Sequence, residues 1–86
     1  MTADTLPEPP RVAQAKSLVL GGEARAAVGV LREHLAEEPT DARAWHRLAG
    51  ALIGDDRTAE ALTAATRAVQ LAPTMAVAHH FLALLT

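Results

Sequence analysis

Cysteine, asparagine and tyrosine are absent from this chain, and tryptophan, phenylalanine, serine and lysine occur once each. Each shortage excludes something. Without cysteine there is neither a disulfide framework nor a thiolate-ligated metal. With two aromatic residues in 86, the core has to be built from small aliphatic side chains, chiefly alanine. A buried methyl contributes about 0.8 kcal/mol and a buried leucine about 1.5–3 kcal/mol, so such a core is thin. No apolar run approaches the roughly 20 residues needed to span a bilayer. Residues 1–10 have neither the basic start nor the apolar stretch of a secretory signal. A cytoplasmic protein is therefore expected. The formal net charge is −2, without a basic block or an acidic tail, so the electrostatic footprint of a nucleic-acid binder is missing. Seven arginines against one lysine, with abundant alanine, fit a high-GC bacterial genome.

What is present is helical periodicity. Between Ala42 and Met75, Trp45, Leu48, Ala49 and Leu52 recur three or four residues apart, and so do Ala61, Ala65 and Ala68. Asp55 and Asp56 divide the two stripes and Pro73 closes the unit. This pattern predicts two antiparallel helices with small residues at their crossing, where short side chains let the axes approach.

The same stretch resembles a tetratricopeptide repeat (TPR), a 34-residue helical hairpin with a Trp, Leu-Gly, Tyr, Ala, Phe, Pro signature. Trp45, Leu48, Ala61 and Pro73 match it directly. Ala49, Leu52 and Ala65 replace the usual Gly, Tyr and Phe, keeping the small or apolar character. The period repeats: Pro39 and Pro73, Ala15 and Ala49, Leu18 and Leu52, and Ala27 and Ala61 all lie 34 residues apart. Helical periodicity alone does not hold such a register across two turns and a proline. The resemblance implies an all-α fold, a right-handed α-solenoid of two hairpins plus one C-terminal helix, and the role of a protein-interaction adaptor or scaffold.

In chain order, residues 1–8 are expected to form a flexible leader and residues 9–86 a single repeat domain. Helices are predicted over about 10–20, 23–37, 42–53, 57–71 and 75–85. Gly21-Gly22 and Pro39 stop the first two. Thr40 or Asp41 should cap the third, Asp55 or Asp56 the fourth and Thr74 the fifth. Gly29, inside the second helix, is expected to mark a close helix approach. Arg11 and Gln14 stand where the next repeat has Trp45 and Leu48, as in a solvated N-terminal cap.

In TPR domains the first helix of each hairpin lines a concave groove. Carried over, this implies a groove of Val12, Lys16 and Val19, then Arg43, His46, Gly50 and Ile53, then Val77, His80 and Leu84. Its mildly cationic, partly apolar character suits an acidic-hydrophobic protein segment. Binding of such a partner is expected to tighten as pH falls from about 7 to 6, as His46 and His80 gain charge. The clamp by which some TPR domains grip a C-terminal carboxylate uses asparagines and cannot be built from this sequence. The fifth helix carries no charged residue, and Phe81, Leu82 and Leu85 form an expected oligomer edge, which allows a homodimer as an alternative to groove binding. A third possibility is an accessory domain of a separate or longer enzyme. Catalysis within this chain is not expected: Ser17 has no base arranged around it, and the carboxylates sit at turns and helix ends, where capping explains them. No metal or other cofactor is expected, because His46 and His80 share an outlook but fall short of the three or four ligands zinc requires.

Overall fold

The computed structural model describes residues 9–85; the leader expected over residues 1–8 lies outside the described residues. Five helices follow one another: α1 (Pro10–Leu20), α2 (Ala24–Glu37), α3 (Ala42–Gly54), α4 (Thr58–Leu71) and α5 (Ala76–Leu85). Each packs on the next, and α1 also reaches α3. The architecture is thus all-α, sequential antiparallel pairs in the TPR manner, with α1, α3 and α5 forming one row and α2 and α4 the other. The predicted boundaries agree to within about one residue. No described helix is long and apolar enough to cross a membrane.

The core follows the small-residue stripes. Ala15, Ala27, Ala49, Ala61, Ala65 and Ala68 are fully buried, and Leu31, Leu52 and Val12 are the largest fully buried side chains. With so little volume in most of its side chains, the core depends on the helices lying close together. Gly54 shows how close: a Cβ there would come within 2.9 Å of the Ala24 Cβ. Gly29 does not play this part. It is exposed, and a Cβ built on it meets nothing within 4 Å, so the expectation of a close approach at Gly29 is corrected.

The 34-residue period reappears in the hydrogen bonds of the turns. After α1, Gly22 adopts φ 83° while Glu23 N–H donates to Leu18 O and Gly22 N–H to Val19 O. After α3, Asp56 adopts φ 60° while Arg57 N–H donates to Leu52 O and Asp56 N–H to Ile53 O. The two turns are equivalent residue for residue, and both need a left-handed residue at the same place. This overturns the expected cap of α4. Asp55 closes α3, Asp56 supplies the left-handed turn, and Arg57 precedes α4 without a side-chain cap.

A second equivalence closes each repeat. Trp45 Nε1–H donates to Pro39 O at 2.9 Å, and His79 Nε2 makes the same bond to Pro73 O. A carbonyl can only accept, so His79 carries its proton on Nε2. His79 thus does for the second inter-repeat turn what Trp45 does for the first. At α3 the cap is Asp41, as the sequence allowed. Its Oδ1 accepts from Ala44 N–H at 3.2 Å, and its Oδ2 accepts from His34 Nε2 at 2.8 Å. His34 is buried near the end of α2, so one carboxylate caps a helix and anchors the preceding one.

Candidate functional site

The inner face of the odd-numbered row carries a pocket of about 170 Å³. Ala15, Lys16, Val19 and Leu20 line it from α1, Leu31 from α2, His46, Arg47, Gly50 and Ala51 from α3, and Phe81 from α5. Helical spacing explains the set. Residues 15, 16, 19 and 20 share one face of α1, and 46, 47, 50 and 51 share one face of α3. Gly50 keeps the space open, since a Cβ there would meet nothing within 4 Å.

The sequence-predicted groove residues fall into three groups. Lys16, Val19, His46 and Gly50 line the pocket. Ile53, Val77, His80 and Leu84 are exposed outside it, and Arg43 is half-buried on α3. Val12 differs from the others in lying within the core. It is fully buried and does not line the pocket, although Ala15, one turn on, does. Phe81, Leu82 and Leu85, read as an open edge, are half-buried against the core. Phe81 also lines the pocket, its ring meeting His46 edge-on at 5.4 Å between centroids and 82° between planes. Leu31 was illegible in a reading that assigned the groove to first helices alone, because it enters from the second row.

Among the described residues, the large apolar side chains that stay exposed are Leu20 (79%), Leu84 (72%), Val77 (60%) and Ile53 (37%). Leu20 lines the pocket. Ile53 lies three residues beyond Gly50, Leu84 three beyond Phe81, and Val77 four before it, each therefore on the helix face of a lining residue. Among the described residues the lining includes the cations Lys16 and Arg47 and no carboxylate, although the chain as a whole is acidic.

His46 is electrostatically distinct. Burial, and then the nearby Arg47 charge, hold its pKa below the ordinary 6.5. Its ring therefore charges less readily than an ordinary imidazole between about pH 7 and 6, which weakens His46 as a source of the expected tightening. Its Nδ1 is buried and has no hydrogen-bond partner among the described residues. No group of three or more His, Asp or Glu side chains converges as a metal site among the described residues.

The opposite face is laced by ion pairs between α2 and α4 or the turn before it: Arg32 to Glu60 at 2.8 Å and Arg25 to Asp55 at 3.7 Å. Most of these groups are exposed, where such pairs contribute about 0–1 kcal/mol each.

Residues 11–73 match the family model described as bacterial transcriptional activator domain. No curated protein and no solved structure matches the chain.

Proposed function

The chain belongs to the bacterial transcriptional activator domain family, and on that premise we propose that it is a protein-interaction adaptor whose groove between α1, α3 and α5 receives a segment of a partner protein. The family is one of non-catalytic domains of transcriptional activators, so the chemistry to be accounted for is recognition. The observation that carries the reading is the pocket that Lys16, Val19 and Leu20 of α1, His46 of α3 and Phe81 of α5 line together, with Leu20 79% exposed there. A pocket of apolar side chains with a few polar and charged groups converging on it is the form of a binding site. The partner segment is acidic and apolar, complementing Lys16, Arg43 and Arg47 beside those side chains. An activator module works in the cytoplasm, and with net charge −2 this one leaves DNA contact to other parts of the regulator.

The test compares partner sets. Wild type, an Ile53→Glu, Leu84→Glu double variant and a Glu33→Lys control on α2 are used as baits against the transcription machinery of the source bacterium. All three should melt at nearly the same temperature, because the altered residues are exposed. The groove variant should lose the partners that wild type and control retain. If it keeps all of them, the groove is not the interface.

A further inference from the structure

A buried polar atom without a partner is costly, and fewer orphaned N–H donors than orphaned acceptors persist in folded proteins. His46 Nδ1 is such an atom. A neutral imidazole has one N–H and one bare nitrogen. Leaving the bare lone pair at the shielded Nδ1 costs less than stranding a proton there, so the ring carries its proton on Nε2. His46 lines the pocket, and with Nδ1 shut away its remaining polar atom is that Nε2–H donor. The Phe81 edge contact fixes the ring plane. Among the described lining residues the charged ones are Lys16 from α1 and Arg47 from α3, while Leu31 and Phe81 are the contributions of α2 and α5. A donor flanked by cations over an apolar floor selects an anion attached to an apolar group.

We propose that His46 is the specificity-determining residue of the groove: its Nε2–H donates to a carboxylate of the bound segment, and the apolar side chain beside that carboxylate fills the pocket against Val19, Leu31 and Phe81. Lys16 adds a mobile positive charge at the mouth. This deepens the groove reading and rests on it, since it names what the groove selects. The occupant is an acidic residue next to a leucine-sized residue in a protein segment.

Two capped peptides test it, acetyl-Glu-Leu-Leu-Glu-Leu-amide and its counterpart with glutamine in place of both glutamates. They are titrated into the ¹⁵N-labelled chain and followed by backbone and imidazole nitrogen spectra. The free chain should show His46 as the Nε2–H tautomer. The glutamate peptide should move the His46 Nε2 signal together with the Lys16, Val19 and Phe81 amides. The glutamine peptide should bind about tenfold more weakly or worse, the equivalent of one charge-assisted hydrogen bond. His46→Gln, which keeps an amide donor, should retain most of the affinity, while His46→Leu should lose about tenfold. Equal affinity for the two peptides, an Nδ1–H tautomer, full affinity in His46→Leu, or no binding of the glutamate peptide would each overturn the proposal. Two equally tight peptides that both move groove amides would remove His46 while leaving the groove reading intact. The groove reading itself falls only when partners survive the Ile53→Glu, Leu84→Glu change.

Discussion

A single carboxylate does two jobs at Asp41. It accepts from Ala44 N–H as the cap of α3 and from the buried His34 at the end of α2. Losing a cap costs about 0.5–2 kcal/mol, and orphaning a buried donor costs about 1–3 kcal/mol more. Asp41→Ala should therefore lower unfolding free energy by about 2 kcal/mol or more in urea titrations, and Thr40→Ala, at an exposed position, by much less. His46 makes a prediction with a defined sign. Its folded pKa lies below the ordinary 6.5, so below about pH 6.5 the unfolded ring binds a proton that the folded ring resists. The stabilising contribution is present above that pH and is lost as pH falls towards the folded value. Chemical denaturation at about pH 7 and 5.5 should show wild type losing more stability than His46→Gln, and an equal loss in both would remove His46 from the pH response.

At the scale of the element, two helical glycines have opposite meanings. Gly29 faces open space in α2, where alanine is favoured by about 0.5–1 kcal/mol. Gly54 ends α3 against the Ala24 Cβ at 2.9 Å, with both atoms close to rigid backbone. Gly29→Ala should raise the melting temperature and Gly54→Ala should lower it, the latter through a loss of about 1–3 kcal/mol in stability as α2 and α3 are forced apart. Shifts of the same sign at both would contradict this account of the packing. The turns are the other element-level feature. Gly22 and Asp56 occupy equivalent left-handed positions, and only the first is a glycine. The alanine-rich helices pack well enough to hold Asp56 there despite its Cβ.

For the whole molecule the open question is how the last helix is covered. α5 has no described helix beyond it, yet Phe81, Leu82 and Leu85 turn inward onto the core, and Val77 and Leu84 remain in solvent. Among the described residues the large exposed apolar side chains of α5 are therefore Val77 and Leu84, not the residues expected to form its edge. Any self-association should use these two residues. Sedimentation equilibrium at high micromolar concentration should show Val77→Glu, Leu84→Glu abolishing whatever association wild type displays, without loss of helicity. Phe81→Glu, Leu85→Glu should instead cost stability, because both place a charge against the core. An edge variant that folds as stably as wild type would show that α5 is seated differently.

The helices and their order were legible from residue spacing, because periodicity, glycine stops and prolines are local properties that need no knowledge of what packs on what. The repeat was legible for the same reason: Pro39 and Pro73, or Ala27 and Ala61, keep their 34-residue offset in the bare chain. That offset even contained the Trp45–His79 correspondence, although only the turn geometry explains it as a shared bond to a proline carbonyl. What the tertiary structure alone decided is which side of each helix meets water. Val12 went into the core, Phe81 into the groove wall, and Leu31 reached the pocket from the second row. Helix rotation is set by the summed contacts of all neighbours. With alanine supplying most of the buried positions, single residues in this sequence carry too little side-chain volume to announce that rotation in advance.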